Sequence, residues 1–424
     1  MLQYTPVTET TTRQPISSHD PYAAFRVPQL WQYMLGNMLL FMGMGAQGLA
    51  IGWEVYQRTG QAFALGLVGG VQAIPMILLS LPAGYLADRF DRKALCVVCL
   101  CGVAACSLGL AWLSACHGPI GWMYLLLLLD ATMATLGRPA RAAIFPMLTP
   151  PDVFENAMKW RTSLDQISAV GGPAVGALIL VWSLPGVYIA NAACALLVIG
   201  LLLAMRIQTG PSTAGSMSLA TVLGGLHFVR GREVLLATMS LDLFAVLLGG
   251  ATYLLPLYAK DILHVGAAGL GWLRAAPAVG AFVMAILLAH LPPMKRAGRA
   301  MLLAVFGFGV ATIVFGLSHH FWLSWAMLCL TGALDNVSVV VRHTLVQLLT
   351  PDHMRGRVSA VNAIFIGSSN EIGGFESGTV ARFFTPTISV VAGGIGTLVI
   401  VLLWAGLFPN LRRYGALSEE KAGD

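Results

Sequence analysis

Twelve stretches of about twenty predominantly apolar residues recur along this chain, separated by short turns that gather most of its few charges. A segment of that length wound as a helix crosses the ~30 Å hydrocarbon core of a bilayer and satisfies its own backbone hydrogen bonds there. The stretches fall at approximately 30–53, 64–86, 94–115, 119–137, 162–183, 187–205, 234–258, 267–290, 300–317, 321–341, 358–380 and 388–409. Composition agrees: 10% of residues are charged, against roughly 25% in soluble domains, and 57% are hydrophobic. The expectation is an all-α integral membrane protein with twelve transmembrane helices.

Cytoplasmic turns accumulate Lys and Arg, so the charges orient the chain. With both termini cytoplasmic, nearly all cations fall on the inner side, among them Arg89, Arg92, Lys93, Arg138, Arg141, Arg161 and Arg342. The outer turns keep Arg58, Lys260 and Arg382, leaving Arg274 as the one cation expected within a span. The net charge of +6 is then read as membrane topology, and no nucleic-acid partner is expected. The first twenty residues are rich in Thr, Ser and Gln without an apolar run, so the first helix is expected to direct insertion itself.

The chain also repeats itself. Met147-Leu-Thr-Pro-Pro-Asp-Val153 is echoed by Leu348-Leu-Thr-Pro-Asp-His-Met354, and superposing Thr149 on Thr350 brings Arg141 onto Arg342 and Gly172 onto Gly373. Two pseudo-symmetric six-helix bundles follow, at 29–206 and 234–410, flanked by tails at 1–28 and 411–424. Repeats of this kind hold a substrate site between the halves, near the bilayer midplane. The junction, 207–233, opens on the flexible polar run Gln208 to Ser218. Leu219, Val222, Leu223, Leu226 and Val229 then recur at helical spacing, which predicts an interfacial helix.

Between the second and third spans the chain reads Gly84-Tyr-Leu-Ala-Asp-Arg-Phe-Asp-Arg-Lys93. This resembles the loop signature of the major facilitator superfamily, with Gly84, Leu86, Asp88, Arg89, Arg92 and Lys93 in register and Asp91 where the family pattern usually has Gly. Trp53-Glu-Val-Tyr56 with Thr59-Gly60, Leu254-Leu-Pro-Leu-Tyr-Ala259, and Arg355-Gly-Arg-Val-Ser-Ala-Val-Asn362 continuing to Asn370-Glu371 look like the enterobactin-exporter-type branch of that superfamily. Gly172-Pro173-Ala-Val-Gly176 is similar to the Gly-Pro element of its antiporters, with Ala177 in place of a second Gly. The resemblance implies the twelve-helix major facilitator fold in the bacterial inner membrane. It also implies a gating role in which Asp88 accepts hydrogen bonds from the N-terminal end of the eleventh helix while Arg89 and Arg92 hold neighbouring acids.

An ionisable side chain inside a span costs about 2.5–3.5 kcal/mol on insertion scales and needs a partner or a watery cavity. Asp130, Asp242, Arg274, Asp335, Glu371 and Glu376 are of this kind. By resemblance the first, fourth, seventh and tenth helices line the cavity, which puts Asp130, Asp242 and Asp335 near the transport path; the alternative role is hydrogen bonding between helices. Glu371 falls about 20 Å along its helix from Ser359, at about 1.5 Å per residue, and so near mid-membrane. It is the first candidate for carrying a coupling proton and Asp242 the second, with Arg274 as counter-charge or contact for an anionic substrate group. Gln47 and Glu54 complete the candidate contacts, Glu54 being near enough to the membrane surface to be solvated instead.

No Gly-x-x-x-x-Gly-Lys-Ser/Thr, His-Glu-x-x-His or Gly-x-Ser-x-Gly element occurs, so neither ATP hydrolysis nor hydrolase chemistry is expected. Cys96-x-x-Cys99 has no His nearby to complete a metal site, and no cofactor beyond a proton gradient is expected. The reading that results is a monomeric, proton-coupled exporter of a small amphipathic molecule, a siderophore or drug-like compound. A lipid or lysolipid transporter and a non-transporting membrane scaffold are the alternatives.

Overall fold

The computed structural model describes residues 22–205, 219–292 and 294–415. Both tails and the polar run from Gln208 to Ser218 lie outside the described residues, as do the side chains of 219–223. Twelve long helices form the body: α1 (Pro28–Thr59), α2 (Ala62–Arg89), α3 (Arg92–Ala115), α4 (Ile120–Leu148), α5 (Phe154–Trp182), α6 (Leu184–Ala204), α7 (Glu233–Leu248), α8 (Gly266–His290), α9 (Ala297–Leu317), α10 (Phe321–Leu349), α11 (Asp352–Phe383) and α12 (Pro386–Leu407). Eleven of these segments are long and apolar enough to cross a bilayer. The exception, α11, is as long as any of them but carries Asn362, Asn370, Glu371 and Glu376, and it packs chiefly against other helices.

Helix pairing in the first half recurs in the second. α2 lies against α4 as α8 against α10, α3 against α4 and α6 as α9 against α10 and α12, and α1 against α5 as α7 against α11. The halves meet where α2 crosses α11 and α5 crosses α8. One turn shows how local chemistry fixes this geometry. Asp91, where the family signature has Gly, sits at φ −58°, open to any L-residue, and its carboxylate caps α3 by accepting the Ala94 N–H at 2.7 Å. At the other end of the bundle Gly60 closes α1 at φ +62°, a conformation costly for any residue with a Cβ.

The two ends of the bundle differ chemically. The end carrying the Asp88–Lys93 turn also carries the α4–α5 turn and the basic C-terminus of α4; it is termed the basic end. At the opposite end Trp112, Trp122, Trp182, Trp272 and Trp322 are all exposed, a ring of amphipathic indoles of the kind that settles at a membrane surface.

Several expectations from sequence are corrected. α4 continues through Pro139 and Pro146 to Leu148, and α10 continues to Leu349, so both run well past their expected ends. Proline is tolerated in membrane helices because neighbours and local adjustments satisfy the freed backbone groups. The seventh span is not one helix. It stops at Leu248 and continues as a 3₁₀ segment, Gly250–Leu254, and a wide turn over Tyr258–Ile262. Nor does the linking helix, Leu219–Arg230, spread all of its apolar face on a membrane surface. Val229 is buried against Leu235, Met239, Val346 and Val358, while Leu226 is exposed.

Glu54 is not solvated; it is 2% exposed. It forms an ion pair with Arg58 and accepts the Tyr188 hydroxyl at 2.6 Å, while Arg58 donates to the carbonyls of Gly118, Ser114 and Leu113 at 2.9, 3.2 and 3.4 Å. α1, α6 and the α3–α4 turn are thus tied at the opposite end. Glu54→Ala leaves Arg58 without its counter-charge. It is expected to lower stability by about 3 kcal/mol, read as a fall in the midpoint of thermal unfolding in detergent. An unchanged midpoint would show that solvation of the partly exposed Arg58 makes up for the lost carboxylate.

Candidate functional site

A cavity of about 540 Å³ is lined by α1, α2, α4 and α5 of the first half, with Glu371 of α11 facing it from the second. Its lining runs from mid-helix residues, Gln72, Met76, Asp130 and Glu371, to the basic-end segments of α1, α4 and α5, with Tyr33, Asn37, Arg138, Arg141, Phe145, Arg161 and Asp165. It therefore opens toward the basic end. Side recesses continue it past Phe41 and Met44 to Gly48, Pro173 and Arg274.

The opposite end is sealed by close contact between the halves. A Cβ on Gly378 of α11 would come within 2.4 Å of the Gly66 Cα of α2, so the two backbones touch. Gly271 of α8 packs on Pro173 and Ala177 of α5. The Tyr56 hydroxyl donates to Asp261, and Lys260 lies 5.4 Å from the centre of the Tyr56 ring. Arg382 lies 4.6 Å from the centre of the Phe63 ring, again from one half to the other. Of the Gly-Pro element, Pro173 takes part in this packing, whereas Gly172 and Gly176 admit Met42 and Ala46 of α1 within the first half at distances no side chain would allow.

At the inner limit of the cavity the broken seventh span meets α8 and α11. The Tyr253 hydroxyl donates to the Glu371 carboxylate, and Arg274 Nη1 donates to the Thr252 carbonyl at 2.9 Å. Arg274 thereby ties α8 to the 3₁₀ segment of the broken span. Glu371 and Arg274, expected to act together from sequence alone, do converge here, joined by Tyr253, which sequence reasoning passed over for want of a charge.

Asp130 is 8% exposed and held in a buried polar cluster of the first half. Gln47 Nε2 reaches its Oδ2 at 3.5 Å, while Gln47 Oε1 accepts from Ser107 and Asn191, both at 2.9 Å. Gln47 therefore contacts Asp130 from a position away from the cavity surface. Asp242 and Asp335 lie elsewhere, on a separate small recess in the second half. Asp242 forms an ion pair with Arg342, the two being 4% and 2% exposed. This corrects the expectation that Arg274 is the one cation inside a span: Arg342 belongs to the extended α10, beyond the point where a twenty-residue window ended it. Glu376 is half-buried and accepts from Ser377 at 3.4 Å.

The signature turn has several contacts within the first half. Asp88 lies 3.8 Å from Arg92, Arg89 donates to the Tyr85 hydroxyl at 2.8 Å rather than holding an acid, and Lys93 donates to the carbonyls of Met205 and Leu203 at 2.8 and 3.3 Å. Gly84 is buried in α2. Sequence reasoning counted Arg138, Arg141 and Arg161 as loop cations; the structure makes them cavity residues. Their helical phase was available, since Arg138 and Arg141 are three apart and Arg138 follows Asp130 by eight residues.

Two six-helix halves around a cavity open at one end define a membrane transporter. The chain belongs to the Major Facilitator Superfamily, whose family model matches residues 33–374. Curated relatives include the enterobactin exporters EntS of Escherichia coli O1:K1 / APEC and of Shigella boydii serotype 18, each 26% identical over 394 residues, covering 91% of this chain and 93% of the relative. Among solved structures, the nucleoside transporter NupG superposes with a TM-score of 0.71 at 14% identity, over 90% of this chain and 99% of that one. A bacterial homolog to human lysosomal transporter Spinster, inward-facing and occupied, superposes with a TM-score of 0.70 at 14% identity, over 93% and 98%. At such identity the structural likeness speaks to fold alone.

Proposed function

We propose that this protein is a secondary active exporter that moves a small amphipathic organic molecule, of siderophore or drug-like kind, in exchange for protons. The observation that carries the reading is the cavity open at the basic end and sealed at the other, with Glu371, Tyr253 and Arg274 meeting at its inner limit. A carboxylate at that place takes up or gives off a proton as its surroundings change, and its bond to Tyr253 couples it to the break in the seventh span. Similarity to the enterobactin exporters favours export and a siderophore-like cargo. Glu371 is the first candidate for the coupling proton, with Asp130 in the same cavity; Asp242, Asp335 and Glu376 rank behind them because the first two lie off the cavity.

With the basic end on the cytoplasmic side, both termini are cytoplasmic and the cavity faces the cell interior, as loading an exporter requires. Single cysteines at positions 91 and 260, in a cysteine-free background in intact cells, check the orientation. A membrane-impermeant maleimide is expected to label position 260 from outside and to leave position 91 unlabelled until the cells are opened; the reverse would overturn it. Transport itself is tested in liposomes with an imposed pH gradient, using a ligand found by thermal-shift screening. Gradient-dependent accumulation is expected, and a ligand that binds but never moves would favour a non-transporting role.

A further inference from the structure

The cavity wall formed by α4 and α5 carries three guanidinium groups that, among the described residues, no carboxylate pairs with directly. Arg138 and Arg141 stand three residues apart, hence on one face of α4, and Arg161 joins them from α5. Among the described residues none of these three guanidinium groups has a hydrogen-bond or ion-pair partner. Arg141 lies 6.0 Å from the centre of the Phe41 ring and Arg161 4.7 Å from that of Phe145. The cavity carboxylates Asp130, Asp165 and Glu371 match the arginines in number, but among the described residues none forms an ion pair with them: Glu371 accepts the Tyr253 hydroxyl, Asp130 is contacted by Gln47, and Asp165 lies one turn beyond Arg161 on α5.

The internal repeat sharpens the contrast. The spacing that superposes Arg141 on Arg342 also brings Phe41 onto Asp242. In the second half the arginine is therefore matched by a carboxylate of the chain and buried as an ion pair. In the first half the equivalent partner is a phenyl ring, and Arg141 lines the open cavity. A ring steadies the guanidinium plane without cancelling its charge, which leaves the fork of donors for a ligand.

We propose that Arg138 and Arg141, backed by Arg161, form the recognition site for the anionic end of the transported molecule, so that the cargo is an organic anion with a planar apolar body. Carboxylate or phenolate oxygens suit the bidentate geometry of arginine, and Phe41, 40% exposed on the same cavity, offers a face for the ring. This rests on the exporter reading and narrows it, favouring siderophore-like acids over cationic drugs.

Three probes of nearly one shape and different charge test it: 1-naphthoate, 1-naphthamide and 1-naphthylmethylammonium, titrated by calorimetry against the full-length protein in nanodiscs. Naphthoate is expected to bind at least about tenfold more tightly than the other two, with an affinity that falls as salt rises. R138Q/R141Q is expected to cost it about tenfold to a hundredfold, down to the level of the amide, while R138K/R141K keeps part of the preference. Arginines that serve only as a topology signal would leave the affinity of the correctly inserted protein unchanged. Equal or tighter binding of the ammonium probe, no preference among the three up to millimolar concentration, or an unaffected double Gln variant would overturn the proposal. Should the Gln variant not fold, the wild-type charge series and the Lys variant decide. Charge-selective binding without gradient-driven flux would sink the exporter reading and leave this site standing; gradient-driven flux of cations alone would do the opposite.

Discussion

Replacing Glu371 with Gln is expected to abolish accumulation driven by a pH gradient while leaving substrate binding and substrate exchange at equal pH intact. The side chain sits on α11 at the inner limit of the cavity, where its carboxylate accepts the Tyr253 hydroxyl and Arg274 is held nearby on the Thr252 carbonyl. Gln keeps the shape and an oxygen to accept from Tyr253, but it has no proton to give up, so the site is fixed in one state of the cycle. Accumulation in proteoliposomes should fall to the level of protein-free vesicles, and the dissociation constant should move little. Tyr253→Phe is a graded companion: it keeps the ring against Gly374 and removes only the hydroxyl that links Glu371 to the broken seventh span. Gradient-driven accumulation of wild-type size in the Gln variant would exclude Glu371 and pass the role to Asp130, the other deep carboxylate of the same cavity.

The second large effect is on stability. Arg342→Met removes the cation from a cluster in which Asp242 is its buried partner and Asp335 shares the adjoining recess. A buried carboxylate that loses its counter-ion typically costs about 3–5 kcal/mol, because the pair was desolvated together and one member is left alone. The variant should show a much lower thermal midpoint in detergent, or fail to accumulate in the membrane. D242N/R342M, which removes both charges, should recover most of the loss, since a neutral pair of similar volume carries no such penalty. If the double variant is as unstable as the single one, the cluster serves packing or a specific hydrogen bond rather than charge balance.

Much of this molecule was legible before any tertiary contact was known. The helices lie where twenty-residue apolar windows put them, because a bilayer asks each segment to be apolar and to bond its own backbone, and both demands are local. The repeat was equally plain, and the recurring helix pairs bear it out: Thr149 falls on Thr350, and α3 pairs with α4 as α9 does with α10. Helix ends were less so, since Pro139 reads as a stop in a soluble chain yet sits inside α4. Spans expected to end at residue 137 and to begin at 162 left the cavity arginines Arg138, Arg141 and Arg161 in a loop.

The sequence by itself determined that Asp130, Asp242, Arg274, Asp335, Glu371 and Glu376 are ionisable groups inside spans and that each needs a partner, because the cost of a charge in hydrocarbon does not depend on the fold; it left Arg342 and Glu54 at span ends. Only the tertiary structure decided which partner each one has. Tyr253 reaches Glu371 and Arg342 reaches Asp242 across long separations in sequence, and these pairings depend on how each helix is rotated about its axis. Apolar windows carry no record of that rotation in a helix that is apolar nearly all round. The same holds for Glu54, which sequence leaves near a membrane surface and the fold buries against Arg58 and Tyr188. It holds most of all for Arg141 and Arg342, which the repeat makes equivalent. Neighbours from α1 and α7, a phenyl ring for one and a carboxylate for the other, leave the first facing a cavity and the second sealed in an ion pair.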